Sequence, residues 1–269
     1  GPCDQRRVRE VLRADVQGQM TVVLKAIFSL FLLAGSASVS LSQVASGQEF
    51  RQINLPETAF RPSQLIAPGV LFASGTLIHC FAHDSIDKYI QERALAWRGP
   101  SGQKTIDDYV QYLPFICAAG LGLTGVESRH PLGERLIVIG YTAASFFVVT
   151  KLMKEIIYSP RPDGTANNSF PSGHTGTAFA GAEYVRMEYG WGWGAGAYVI
   201  ATGIAFMRIH NNRHWFSDTL AGAGVGILCA HVGEWLLEPT MRLFKREVAV
   251  VPSFDPYTGS FGAALAFNF

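Results

Sequence analysis

The sequence predicts an all-α fold: a helical bundle with its polar chemistry gathered at one end, followed by a short C-terminal β-like tail. Three observations carry this. Between residues 136 and 237, apolar stretches of helical length are punctuated by proline, glycine and short polar breaks. Three polar clusters interrupt that background: Lys154-x6-Arg161-Pro162, Pro171-Ser172-Gly173-His174 and Arg208-x5-His214-x3-Asp218. At the end of the chain, Phe261, Ala263, Leu265, Phe267 and Phe269 alternate with small or polar residues, which is the period of a strand.

Composition narrows the function classes. The 269 residues are 48% hydrophobic with a net charge of +1, so the basic face of a nucleic-acid binder is missing. The mean hydropathy is only +0.18. Twenty-eight glycines and 18 phenylalanines suit tightly packed helices with small residues at their contacts. Cys3, Cys80, Cys117 and Cys229 lack metal-binding spacing, and three of them sit in apolar runs, so they read as buried free thiols. A disulfide pair is the alternative if the protein is exported.

Residues 1–19 are polar and precede Met20, as an upstream extension would. Residues 20–42 run from Lys25 through an apolar stretch to small residues, the order of a secretory signal peptide, with a candidate cleavage site after Ser42. An uncleaved N-terminal anchor is the other reading. Residues 43–63, with Pro56 and Pro62, form a linker, residues 64–245 the main domain, and residues 246–269 the strand-like tail.

Within the domain, residues 64–81 form an apolar segment interrupted by Pro68 and Gly69. Residues 84–98 read as an amphipathic helix, stopped near Pro100. Asp107 and Asp108 mark a helix start, acids at the positive end, with the helix running towards Val126. The next helix spans residues 136–158 and is stopped by Pro160 and Pro162. Ser172 caps a helix to Tyr189, and residues 190–196 make a Trp/Gly corner. Residues 198–207 are helical, and Ser217 and Asp218 cap a last helix to about Leu237.

This order brings the clusters together. The first closes a helix and the second opens the next. That helix runs away, turns, and its antiparallel neighbour returns to Arg208. Lys154, Arg161 and Arg208 can neutralise phosphate oxygens, the arginines as planar forks. Ser172 and Gly173 stand at a helix N-terminus, where backbone N–H groups meet an anion and glycine leaves room for it. One of His174 and His214 can act as nucleophile and the other as acid. Asp218, four residues after His214, can orient its ring. His79, His83, His130, His210 and His231 read as structural.

KEIIYSPRP, PSGH and MRIHNNRHWFSD resemble, in order, the three signatures K-x6-RP, PSGH and SR-x5-H-x3-D of the type-2 phosphatidic acid phosphatase superfamily. The resemblance covers residues 136–237. Met207 departs from the usual serine, and the spacer 163–170 is short, with little room for a lid. The resemblance implies a helical bundle with the active site at one end. It implies that His214 attacks phosphorus to form a phosphohistidine, Asp218 holds its tautomer, and His174 protonates the leaving group and then activates water. Lys154, Arg161, Ser172, Gly173 and Arg208 would cradle the phosphate. It implies no metal and no cofactor, since fixed positive charge and backbone donors stabilise the developing charge.

The substrate implied is a phosphorylated lipid or small phosphate ester of a bacterial envelope, with the site on the periplasmic side. Lipid A, undecaprenyl pyrophosphate and phosphatidic or phosphatidylglycerol phosphates are open. A vanadium haloperoxidase, a soluble periplasmic acid phosphatase and an inactive envelope protein are the competing readings.

Membrane association is expected, but short uncharged runs and the charges Glu183, Arg186 and Glu188 favour a partly embedded or globular bundle. Topology sets a conflict. An exported N-terminus followed by spans at 64–81, 110–126 and 136–157 puts the site in the cytoplasm. Arg242, Lys245 and Arg246 place the opposite end there instead. Either one early segment fails to span or the domain lies outside the inner membrane. The tail from Phe261 to Phe269 needs an edge to pair with, within the chain or on an envelope partner.

Overall fold

The computed structural model describes residues 60–98, 106–244, 248–255 and 260–267. The extension, the signal-like segment, most of the linker, Cys3 and the break near Pro100 lie outside them. The helices are α1 (Ile66–Phe81), α2 (Lys88–Arg98), α3 (Leu113–Leu123), α4 (Leu132–Ile156), α5 (Gly173–Tyr189), α6 (Trp191–His210) and α7 (Phe216–Phe244). A 3-10 turn, Pro62–Leu65, leads into α1, and a π turn, His83–Asp87, leads into α2. A single helical turn, Asp107–Val110, precedes α3. Strands β1 (Val248–Asp255) and β2 (Ser260–Phe267) form an antiparallel hairpin in which Phe254 lies opposite Phe261. The tail's strand therefore has its partner within the chain.

Helix α7 is the hub, packed by α1, α4 and α5, while α6 packs on α5. One apolar core joins Ala178, Ala182, Tyr184, Ala201, Ile204 and Leu237. A second, of Met153, Ile157, Phe170, Ala221, Val225 and Cys229, lies under the polar clusters. Small residues let α5 and α7 touch backbone to backbone. A Cβ on Gly222 would lie 2.4 Å from the Ser172 carbonyl oxygen, and one on Gly226 2.1 Å from that of Gly176. Larger side chains there would push the start of α5 off α7.

Several boundaries differ from expectation. Helix α1 runs through Pro68, whose missing N–H falls in the first turn, where no intrahelical partner exists. The helix expected over 105–126 is broken, because Pro114 near the start of α3 cannot donate and its ring opposes the carbonyl of residue 110. Residues 190–196 are not a corner. Gly190 alone, at φ 80°, makes the turn. Helix α6 begins at once with Trp191, which stacks on Tyr198 and carries the Arg186 guanidinium over its ring. Helix α7 continues through Pro239 to Phe244, beyond the expected end. Cys80, Cys117 and Cys229 are free thiols, and only Cys229 is buried.

Among the described residues, three helices, Pro62–Phe81, Leu132–Ile156 and Phe216–Arg242, are long and apolar enough to cross a membrane. Ile66, Val70, Leu77 and Phe81 on α1, and Leu132, Leu136, Phe147, Val148 and Leu152 on α4, point outward from the bundle. So broad an apolar belt suits lipid better than water. The objection from charge on α5 is met by geometry, since Glu183 and Glu188 are buried and ion-paired inside the bundle. At eleven residues, α3 is about 16 Å long, half a hydrocarbon core. The chain nonetheless returns past it. Arg129, just before α4, meets the C-terminal end of α5, and α4 then climbs back to Lys154.

Candidate active site

Every residue of the three clusters lies at one end of the bundle. Lys154 is in the last turn of α4, and its Nζ donates to the Asn168 carbonyl at 3.1 Å. The segment after α4 folds back on itself: Ser159 N–H donates to Asn167 O, Ser169 N–H to Ser159 O, and Arg161 N–H to Ala166 O. That tight turn aims Arg161 and supplies Ser169. Arg208 closes α6, His214 lies in the loop after it, and Asp218 sits in the first turn of α7.

The backbone ties the pieces together. Ser172 N–H donates to the Asp218 carbonyl at 3.0 Å, so the start of α5 is pinned to the start of α7. Ser172 is fully buried and precedes α5 as its cap residue, but its hydroxyl makes no capping bond and pairs with that of Thr175 instead. The N–H groups of Gly173 and His174, in the first helical turn, are the donors left for an anion.

His214 is 1% exposed and its Nδ1 faces Asp218 Oδ2 at 3.5 Å, longer than a hydrogen bond. Ser169 fills the gap: its hydroxyl donates to Asp218 Oδ2 and lies 3.4 Å from His214 Nδ1. Trp215 N–H also donates to Asp218 Oδ2, at 2.9 Å. With Nδ1 on this side, Nε2 is the ring atom left for the cations. Burial, and then the charges of Arg208, Lys154 and Arg161, hold the His214 imidazole well below its ordinary pKa. It is neutral at pH 7, with a free lone pair.

Among the described residues, Lys154 and Arg161 form no ion pair, and the buried Nε atoms of Arg161 and Arg208 have no hydrogen-bond partner. Burial, and then the charges of Arg213 and Arg208, lower the Arg161 pKa, with Asp163 and Asp218 opposing them. Buried donors without partners are rare in folded proteins. Their simplest use is an anion.

Four residues outside the expected set complete the site. Asp107 is buried and accepts from Arg208 at 2.6 Å and from Asn211 at 3.2 Å, which aims the guanidinium. Asp108 accepts from His174 Nε2 at 2.8 Å and lies 3.4 Å from Arg208. Burial and Arg208 lower the His174 pKa, Asp108 opposes them, and the net shift is downward. Asp87, fully buried, accepts from Ser217 N–H at 2.9 Å and Ser217 Oγ at 2.6 Å, and so anchors the loop that carries His214 and Asp218. Ser169 is the fourth. The acids at 107–108 were visible as a helix start, but nothing local pointed to partners about a hundred positions away.

At this end of the bundle a buried imidazole thus faces a carboxylate beside Arg208, the start of a helix, and two cations, Lys154 and Arg161, that form no ion pair among the described residues. Residues 135–240 match the model of the PAP2 superfamily. It is 36% identical over 163 residues to the lipid A 1-phosphatase of Porphyromonas gingivalis, a match covering 59% of this chain and 36% of that protein. The chain thus spans little more than a third of the length of that curated relative. Among solved structures it is similar to Aquifex aeolicus LpxE, with 20% identity over 55% of this chain and 93% of that one, and a TM-score of 0.43. It is also similar to a transmembrane PAP2 type phosphatidylglycerolphosphate phosphatase from Bacillus subtilis, with 21% identity, 67% and 98% coverage, and a TM-score of 0.42.

Proposed function

We propose that the protein is a metal-independent phosphatase that hydrolyses a lipid-linked or other envelope phosphate monoester or pyrophosphate through a phosphohistidine on His214. The observation that carries this reading is the gathering of Arg208 and of Lys154 and Arg161, the latter two without an ion pair among the described residues, around a buried, neutral imidazole. His214 Nε2 attacks phosphorus and the bond to the leaving oxygen breaks, while His174 gives that oxygen its proton. His174 then takes a proton from water, whose oxygen attacks phosphorus. The P–N bond breaks and phosphate leaves. Lys154, Arg161, Arg208 and the N–H groups at Gly173 and His174 hold the equatorial oxygens throughout. Ser172 supports the turn that presents those N–H groups. Asp218 and Ser169 keep the proton of His214 on Nδ1. The dianionic substrate adds the negative charge that draws His174 towards its acidic form.

A lipid substrate is supported by the outward apolar faces of α1 and α4 and by the name of the Porphyromonas relative. For orientation, Arg242 and the basic residues after it favour the cytoplasm for the end away from the site, which leaves the site periplasmic. Residue 60 lies at that same far end, opposite the site. If α1 and α4 both cross, a periplasmic site therefore needs residue 60 in the cytoplasm, which a cleaved export signal over 20–42 would not provide. Single-cysteine labelling at Ser63 and at Tyr158 in intact cells separates the two orientations.

The test of the reaction is phosphate release by wild type and His214→Ala on p-nitrophenyl phosphate and a panel of lipid phosphates, with and without vanadate. Release from lipids that vanadate inhibits and the substitution abolishes supports the reading. Comparable release from the soluble ester points to an acid phosphatase. Halide oxidation that requires vanadate, with no phosphate release, contradicts it.

A further inference from the structure

Beneath Asp218, outside the phosphate cradle, lies a cluster that the reaction does not use in full. His79 is in the last turn of α1, and His83 and Asp87 are in the π turn that follows. One donor atom from each lies within 4.8 Å of the others. We propose that His79, His83 and Asp87 bind a divalent transition-metal ion of the zinc class.

Four features support the assignment. Two imidazoles and one carboxylate are the ligand types such ions take, whereas calcium and magnesium prefer all-oxygen sites. Tetrahedral ligands on bonds of about 2.0–2.1 Å stand roughly 3.3 Å apart. His83 Nδ1 and Asp87 Oδ2 are already 2.9 Å apart, so small rotations suffice. His79 Nδ1 is buried and has no hydrogen-bond partner, an anomaly that a metal bond removes. The surroundings are built like the outer shell of a metal site. Ser217 holds the Asp87 carboxylate through both its N–H and its hydroxyl, and Phe170 and Trp215 pack on His79 and His83 at ring distances of 4.8 and 4.5 Å.

The ion would join the end of α1 to the π turn, whose Asp87 in turn holds Ser217, one residue before Asp218, and none of its ligands is Lys154, Arg161, Arg208 or His214. It is therefore a fastening of the site from below and takes no part in phosphoryl transfer. In sequence the pattern is His-x3-His-x3-Asp, two four-residue steps that the π turn keeps on one face.

The experiment is a Co²⁺ titration of the full chain, purified without a histidine tag in detergent, followed by visible d–d absorption and by displacement with Zn²⁺. One saturable equivalent is expected in the wild type. His79→Gln and His83→Gln should each lower the affinity at least about tenfold while helical circular dichroism is kept. If neither variant folds, Ser217→Ala decides, since it removes an outer-shell donor and should also weaken binding. No saturable binding by the wild type, or undiminished binding by the folded variants, overturns the proposal. The readout is independent of whether the protein hydrolyses phosphate.

Discussion

At the end of the bundle away from His214, charge is buried and matched. Glu183 accepts from Arg186 at 2.7 and 2.6 Å, from Tyr198 at 2.5 Å, and is met by His231 at 2.8 Å. Arg129 pairs with Glu234 at 2.6 Å, and His130 with Glu188 at 2.8 Å. A cavity of about 460 Å³ opens among several of these residues. At the His214 end, among the described residues, Lys154 and Arg161 lack carboxylate partners, and Arg208, though held by Asp107, keeps a buried Nε with no acceptor. Both ends are polar, both hold histidine and arginine, and the far end has a roomy cavity. What separates them is pairing. The far carboxylates Glu183, Glu188 and Glu234 all have arginine or histidine partners, whereas the network at His214 is open in that Lys154 and Arg161 have no carboxylate partner among the described residues. Both ends keep buried nitrogens without a hydrogen-bond partner, at His130 and His231 in one and at Arg161 and Arg208 in the other.

Substitutions can break or sharpen this contrast. The largest effect is expected from His214→Ala, which removes the proposed nucleophile and should lower kcat on the order of a thousandfold or more. Arg161→Ala should cost roughly 10²–10³ in kcat/KM, as loss of one oxyanion donor does elsewhere, with binding of inorganic vanadate weakened in parallel. Ser169→Ala leaves His214 and Asp218 at 3.5 Å with nothing between them, and a fall of about tenfold in kcat with little change in KM is expected.

Asp108→Asn changes a pH limb more than a maximum. The Asp108 carboxylate holds the His174 pKa up against burial and Arg208, so without it that pKa falls further. The fraction of enzyme with His174 protonated then declines at lower pH, and the basic limb of kcat/KM should move to the acid side. A limb that stays in place would show that His174 is not the acid. The smallest effect on turnover is expected at the matched end. Glu183→Gln breaks a buried network and should lower stability by about 3 kcal/mol in a detergent unfolding assay, with kcat at 25 °C unchanged. Loss of catalysis in folded Glu183→Gln would erase the distinction between the two ends.

How much of this was legible depends on distance along the chain. The three clusters are local: Lys154 and Arg161 flank one helix end, and Arg208, His214 and Asp218 share one turn of loop and helix. Proline and glycine mark where those helices stop, so their convergence followed from antiparallel packing alone. The roles of Asp107, Asp108, Ser169 and Asp87 were not legible. Asp107 sits beside Arg208, and Asp87 beside Ser217, only after α2 and the turn before α3 are laid across the end of the bundle. As a sequence, two acids before an apolar run mean a helix start and nothing more. Helix α6 starts earlier than its sequence suggests: glycine and tryptophan are weak helix formers, and the packing of Trp191 on Tyr198 and Arg186 overrides that preference. The charges of α5 argue against a membrane in the sequence, and only the fold shows that Glu183 and Glu188 are buried with partners.

The central claim is that the open network exists to hold a phosphoryl group against His214. It is tested most directly by mixing the enzyme with a lipid phosphate labelled at the transferred phosphorus, quenching with alkali in the first turnovers, and locating label on the protein. The account predicts base-stable, acid-labile label on His214 in the wild type and none in His214→Ala. Turnover with no labelled protein, or label on another residue, would contradict it.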